Sequence, residues 1–145
     1  MDKKISFIGL GAMGGPMATN IIKKGIELFV YDIDENKKNK VVKEGGLPSN
    51  NILDAVKDSD IVITMLPATE QVKTVLLGEN GVINNLKKDS LILDMSTISP
   101  KGSDEVAKIC RENELRFIDA PVGRLVSHAI ACLLYTSDAA DDELG

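Results

Sequence analysis

The apolar residues of this 145-residue sequence are gathered into short runs, separated by longer segments of mixed polarity. Most of the runs are continuous rather than alternating and rich in β-branched residues, a pattern typical of strands that helices cover on both faces. We therefore predict a buried parallel sheet. The predicted strands lie within 5–10, 27–32, 61–66, 91–95 and the weaker run 115–120.

The segments between the runs have the spacing of helices. Met13, Met17 and Ile21 recur every four residues, and Gly25 follows where glycine commonly ends a helix. Ser99-Pro100 is a typical helix start, with Ser as the N-cap and Pro in the first turn. Strand and helix thus alternate, which predicts an α/β fold with a doubly wound sheet and right-handed crossovers. The other predicted helices cover 35–44 and 51–57.

Composition limits the chain to one domain and narrows its partners. With 43% apolar and 27% charged residues, a chain of this length can bury a single core. A net charge of −5 and a pI near 4.9 leave no basic stripe for a nucleic acid, so we expect no such partner. No apolar stretch approaches the roughly 18 residues of a membrane span, and we expect a cytoplasmic protein. Cys110 and Cys132 are too few for a disulfide framework or a zinc site, and no metal is expected.

A glycine-rich loop lies between the first predicted strand and the first predicted helix. In the pattern GxGxxG, the first glycine allows a tight turn, the second lets a pyrophosphate approach the backbone, and the third lets helix and strand pack closely. Free N–H groups at the helix start would face the phosphates. An ordinary turn is the alternative, but it has no need of three glycines in six residues. The predicted cofactor-binding residues here are Gly9, Leu10, Gly11, Ala12, Met13 and Gly14.

Asp32 is the predicted acidic partner of this loop. It ends the second strand 23 residues after Gly9, near the spacing of roughly 20 expected for a carboxylate that binds the adenosine ribose. Its charge would repel a 2′-phosphate and no Arg follows it, so we predict NAD rather than NADP. A turn Asp is the alternative interpretation. Asp34 could share the role, but its position past the strand favours a turn or a helix cap, and the lysines within 37–43 are interpreted as a solvated helix face.

Further motifs extend the pattern beyond the glycine loop. They are FIGLGAMGGPMATN (7–20), TMLP (64–67), LGENG (77–81), DMSTISP (94–100) and DAPV (119–122). In the order and approximate spacing of these motifs, the chain resembles the β-hydroxyacid dehydrogenase family over nearly all of residues 3–122. The resemblance implies a Rossmann sheet with the strand order 3-2-1-4-5-6. Within the family, ITMLP followed by VLLGENGVI looks most like reductases of 2-hydroxy-3-oxopropionate (tartronate semialdehyde), with 3-hydroxyisobutyrate dehydrogenases next. Relatives that use NADP usually carry Asn-Arg after the second strand, which Tyr31-Asp32 does not resemble.

The resemblance implies roles for residues outside the glycine loop. The loop 65–67, which follows the fourth strand of the family's fold, would run along the adenosine half of the cofactor. Val72, in the segment that follows, would line the same pocket. Ser96 and Thr97 match a segment that meets the nicotinamide and the substrate, although the two residues could instead form a polar turn before Ser99. The residues implied in the loop and pocket are Met65, Leu66, Pro67 and Val72.

The pattern changes after residue 122. The family continues DAPV with Ser-Gly-Gly, whereas Gly123-Arg124-Leu125 follows here, and CLLYTSDAAD (132–141) resembles one translation of a sequencing-library adapter. We therefore expect a dinucleotide-binding domain over 1–122 and a non-native tail over 123–145, with a natural, divergent tail as the alternative.

The resemblance also implies what lies beyond such a fragment. In the family, a second, all-helical domain supplies a lysine as the general acid/base and forms the subunit interface, so we expect no catalytic residue in this chain and a homo-oligomer for the intact enzyme. The expected reaction of that enzyme is hydride transfer between the nicotinamide and a small 3-hydroxy or 3-oxo acid. A stand-alone module that senses dinucleotides without catalysis is the rival hypothesis.

Overall fold

In a computed structural model of the chain, which describes residues 3–121, helices connect all the successive strands, one helix at each connection except for two between β4 and β5. The order and bounds are β1 (Ile5–Ile8), α1 (Gly14–Lys23), β2 (Leu28–Tyr31), α2 (Glu35–Lys43), β3 (Leu47–Pro48), α3 (Ile52–Val56), β4 (Ile61–Thr64), α4 (Thr69–Leu77), α5 (Val82–Asn85), β5 (Leu91–Asp94), α6 (Pro100–Glu112) and β6 (Arg116–Asp119).

The strands form one six-stranded sheet in the order β3-β2-β1-β4-β5-β6. Every neighbouring pair is parallel, and the register pairs Ile8 with Tyr31 on one side and with Thr64 on the other. The predicted Rossmann order is confirmed. Between β1 and β4 the strand order reverses, which in doubly wound sheets is where a crevice opens beyond the carboxyl ends of the strands.

The core lies in two layers, one on each face of the sheet. Phe7 and Ile63 pack on the face covered by α1 and α2, whereas their neighbours Ile8 and Val62 pack on the opposite face. Because successive side chains point to opposite faces and both faces are buried, the central strands β1, β4 and β5 are mostly apolar. This explains why the apolar runs in the sequence are continuous.

The helix ends follow the local signals in the sequence. The side chain of Ser99 accepts a hydrogen bond from the Gly102 N–H (3.0 Å), so the predicted N-cap of α6 is confirmed. At the C-terminal end of α1, Gly25 has a φ of +88°, and its N–H donates to the Ile22 carbonyl (2.9 Å). This bond satisfies one of the last free carbonyls of the helix.

Two features of the fold have no counterpart among the predicted elements. β3 is only two residues long and ends in Pro48 at the edge of the sheet, where a missing N–H is tolerated, so it leaves no apolar run. The helices α4 and α5 follow motifs that we interpreted by resemblance and not by helical spacing. The expected domain end at Val122 and the stretch 132–141 lie outside the described residues.

Candidate cofactor-binding site

A cavity of about 690 Å³ lies beyond the carboxyl ends of β1, β2 and β4, at the point where the strand order reverses. Its walls are mainly apolar, with a few polar groups among them, as is usual for sites that hold an organic cofactor. The lining residues include Gly9, Gly11, Ala12, Met13 and Gly14 of the glycine loop, Tyr31, Asp32 and Ile33 after β2, Met65, Leu66 and Pro67 after β4, and Glu70, Gln71, Thr74 and Val75 of α4.

A different physical constraint applies at each of the three glycines of the loop. Gly9 has a φ of +101°, and a Cβ there would lie 2.2 Å from the Met65 carbonyl oxygen. A Cβ on Gly14 would lie 1.9 Å from the carbonyl oxygen of Gly9, so the start of α1 packs directly on the turn. A Cβ on Gly11 would meet nothing within 4 Å. Gly11 therefore has no packing requirement inside the domain, and its bare backbone is left open on the cavity side.

The N-terminus of α1 is left open to an anion. No side chain caps this helix, and its first turn contains no acidic residue. By contrast, Asp34, Asn51 and Ser99 cap α2, α3 and α6 through hydrogen bonds to backbone N–H groups. Uncapped N–H groups and the positive end of the helix dipole favour a phosphate at this position.

Asp32 holds the glycine loop against the end of β2. One carboxylate oxygen accepts a hydrogen bond from the Leu10 N–H (2.7 Å), and the other accepts one from the Asp34 N–H (2.8 Å). A carboxylate has about four acceptor positions, so each oxygen can still accept a bond from a ligand hydroxyl. Leu10 itself is buried and contributes through this N–H rather than through its side chain. Asp34 caps α2 through its bonds with Asn36 and Lys37, which agrees with the helix-cap interpretation.

The loop 65–67 forms the wall of the cavity opposite Asp32. The Met65 N–H continues the sheet by bonding to the Ile8 carbonyl (3.0 Å), and the Leu66 N–H donates to the Ser96 hydroxyl oxygen (2.7 Å). Ser96 is fully buried, so its side chain is taken up inside the domain and does not reach the cavity. Ser96 therefore does not line this cavity, and the substrate contact expected of it stays a prediction. Thr97 is exposed but does not line the cavity.

The position of Val72 also differs from the expectation. Val72 is fully buried and belongs to the core layer under α4, α5 and α6. The reason is the helical period: Val72 and Leu76 point toward the sheet, whereas Gln71, Thr74 and Val75 lie on the side of α4 that lines the cavity. Helical spacing over 69–77 could have identified this face.

Nine residues of the cavity wall were not predicted from the sequence. Among them, Ile33 follows Asp32 directly and is 90% exposed, which is unusual for a large apolar side chain. Its position gave a signal, because Ile33 directly follows Asp32, the carboxylate predicted to bind the ribose. The nine residues are Ile8, Tyr31, Ile33, Lys37, Ile52, Glu70, Gln71, Thr74 and Val75.

A buried carboxylate, that of Asp94, lies at the end of β5. Burial raises the pKa of Asp94 above its ordinary value, the hydroxyls of Ser96 and Thr64 lower it, and the charge of Asp119 raises it further. Elsewhere, burial raises the pKa of the Cys110 thiol to about 11, so this cysteine is protonated at neutral pH and no nucleophile. Within residues 3–121, no group of three or more His, Cys, Asp or Glu side chains could hold a metal ion.

The family described as the NAD binding domain of 6-phosphogluconate dehydrogenase matches residues 4–136 of this chain. The fold and the glycine loop agree with that match. The chain belongs to the β-hydroxyacid dehydrogenases. In the described part of the chain, no helix has both the length and the apolar character that a bilayer crossing requires.

Relatives from several bacteria support the family. The chain is 42% identical to 3-sulfolactaldehyde reductase from Escherichia coli over 126 residues, which are 87% of this chain and 42% of that protein. It is 39% identical to NAD-dependent L-serine dehydrogenase from Pseudomonas aeruginosa over 120 residues, which are 83% of this chain and 40% of the relative. A structure of Mycobacterium tuberculosis 3-hydroxyisobutyrate dehydrogenase with L-serine superimposes with a TM-score of 0.82 at 31% identity, covering 91% of this chain and 44% of that one. The chain thus spans about two fifths of the length of these relatives.

Proposed function

We propose that this chain binds NAD in the cavity at the switch point and serves as the nucleotide-binding part of a dehydrogenase for small 3-hydroxy and 3-oxo acids. The observation that carries the proposal is the joint placement of three groups on one cavity. These are the uncapped start of α1, the open backbone at Gly11 and the carboxylate of Asp32.

The residues present fit a dinucleotide. The start of α1 would hold the pyrophosphate over Gly11, where a side chain would intrude, and Asp32 would accept bonds from the adenosine ribose hydroxyls. Ile33 and the loop 65–67 offer apolar surface to the adenosine half. When bound, the nicotinamide would supply or accept the hydride.

The choice of NAD over NADP rests on charge. A 2′-phosphate would stand close to the Asp32 carboxylate, and the adjacent Ile33 cannot compensate its charge. Lys37 lines the same cavity, and its positive charge opposes this preference because it would attract a 2′-phosphate. The relative from Pseudomonas aeruginosa that is named as NAD-dependent supports the same choice. Titration calorimetry with NADH and NADPH tests it: we expect tighter binding of NADH, and equal affinities would contradict the preference.

The proposed substrate of the longer protein is a small 3-oxo acid such as 2-hydroxy-3-oxopropionate, with 3-hydroxyisobutyrate as the second candidate. The names of the three relatives support this class, because each substrate is a small acid with a terminal alcohol or aldehyde. The general acid/base is proposed to be a lysine outside residues 1–122, and the longer protein is proposed to be a homo-oligomer.

A kinetic panel would test the substrate class. The assay uses a longer protein that contains this chain and has the full length of its relatives. The panel contains 2-hydroxy-3-oxopropionate, the semialdehyde of methylmalonate, an imine and 6-phosphogluconate. Activity on one of the first two compounds supports the proposal. Activity confined to the imine or to 6-phosphogluconate refutes it.

A further inference from the structure

Asp94 is a buried carboxylate whose hydrogen bonds reach the cavity wall. It is the last residue of β5, has no exposed surface, and lies beside Thr64 in the register of β4 and β5. Its Oδ1 accepts a hydrogen bond from the Thr64 hydroxyl (2.9 Å) and another from the Ser96 N–H (3.2 Å). Its other oxygen, Oδ2, is buried and has no hydrogen-bond partner in the described residues.

A carboxylate in this state is expensive for the fold. A buried charged oxygen without a donor loses its hydration and receives nothing in return, so such groups are rare unless they have a role. An amide side chain would accept the same two bonds on one oxygen without the charge. The stability of the sheet alone therefore does not explain why position 94 is Asp rather than Asn.

The hydrogen bonds continue from Asp94 to the loop 65–67, which packs against the glycine loop. The Ser96 N–H donates to Asp94, and the Ser96 hydroxyl oxygen accepts a hydrogen bond from the Leu66 N–H (2.7 Å). The loop that contains Leu66 in turn packs on Gly9, where the Met65 carbonyl leaves no space for a Cβ. The path therefore runs from the end of β5 through the cavity wall to the first glycine of the loop.

We propose that Asp94 is a positioning residue, which fixes the turn at Ser96 and thereby holds the loop 65–67 in the place that forms the dinucleotide cavity. Asp94 itself does not touch the cofactor. The effect on affinity rests on the proposed function, whereas the effect on the loop does not.

Four variants of the full chain test this, with NADH affinity measured by calorimetry. Asp94→Ala and Ser96→Ala each break the path, and each is expected to weaken binding about tenfold, since each leaves a buried donor without its acceptor. Asp94→Asn keeps the Oδ1 acceptor and is expected to stay within about twofold of the original affinity. In the double variant D94A/S96A the loss is expected to equal that of one substitution, because both act through the same bond.

The matched control is Ser90→Ala, at the opposite end of β5. Ser90 is also buried, and its hydroxyl donates to the Ser59 carbonyl (2.9 Å), but it lies far from the cavity along the strand. This substitution is expected to lower stability with no change in affinity. Additive losses in the double variant, or an equal loss of affinity in S90A, would overturn the proposal.

Hydrogen exchange of the Leu66 amide provides a second measurement that requires no ligand. In the ligand-free chain, S96A and D94A should both accelerate exchange at Leu66, and S90A should not. If D94A does not fold, Thr64→Val removes one donor to Oδ1 and should accelerate the same amide. Unchanged exchange at Leu66 in the folded variants of Asp94, Thr64 and Ser96 overturns the proposal. A chain that binds no dinucleotide but shows the expected exchange refutes the proposed function alone.

Discussion

Gly11 and Gly14 stand three residues apart and should respond in opposite ways to the same substitution. Gly14→Ala places a Cβ 1.9 Å from a backbone oxygen, so unfolding should become easier by about 2 kcal/mol or more. Gly11→Ala meets nothing within 4 Å, so its stability should stay within about 0.5 kcal/mol of the original. Urea denaturation of both variants measures the difference, and equal stability losses would contradict this account of the loop.

The charge of Asp32 should decide between the two dinucleotides. Asp32→Asn keeps an acceptor for the Leu10 N–H but removes the charge that would repel a 2′-phosphate. The ratio of NADPH to NADH affinity should therefore rise about tenfold, or about 1.4 kcal/mol. Asp34→Asn is the control, because Asn also caps helices and leaves Asp32 in place. A ratio that does not change in D32N would show that Asp32 does not set the preference.

At the scale of the elements, the charged end of β5 should make stability depend on pH. Burial raises the folded-state pKa of Asp94 above its ordinary value of 3.8, so its contribution to stability is fully present below that value and is lost as pH rises through the folded-state pKa. Asp94→Asn should therefore gain stability relative to the original chain as the pH rises from about 3 to neutrality. Thermal unfolding across that range measures it, and a gain that is largest at acid pH would contradict the sign.

The cap of α6 offers a stability test that leaves the site unchanged. Ser99→Ala removes the acceptor of the Gly102 N–H and should lower the free energy of unfolding by about 1 kcal/mol. Ser103→Ala, on the same helix but not at its N-cap, is the control and should change stability less. Dinucleotide affinity should stay the same in both, because α6 does not line the cavity. A cap variant as stable as the control would show that Ser99 contributes nothing to the helix start.

The elements that the sequence predicted are those with local signals. The long strands were visible because burial on both faces makes each of them continuously apolar, and the cap at Ser99 and the glycine at Gly25 marked helix ends. β3 was not visible, because a two-residue edge strand ending in Pro48 buries too little surface to leave a pattern. Val72 and Ser96 were assigned by motif, and a motif does not say which way a side chain faces: the helical period of α4 buries Val72, and the bond to Leu66 keeps Ser96 inside the domain.

At the scale of the whole molecule, the sheet brings distant segments to one edge. The glycine loop, Asp32 and the loop 65–67 follow three neighbouring parallel strands, and they meet because parallel strands end at the same side. The strand order itself followed from the family resemblance and the glycine loop, and it is confirmed. Contacts that cross between strand ends, such as the path from Asp94 to Leu66, have no sequence pattern and could only be seen in the structure.

The most direct test of the central claim is titration calorimetry of the folded chain with NADH, repeated with Gly11→Ala. We predict saturable binding of one NADH per chain, weakened at least about tenfold in G11A because a methyl group would occupy the approach of the pyrophosphate. Circular dichroism on both proteins establishes that they are folded. A folded chain that releases no heat with either NADH or NADPH, or a G11A variant that binds as tightly as the original, would contradict the account.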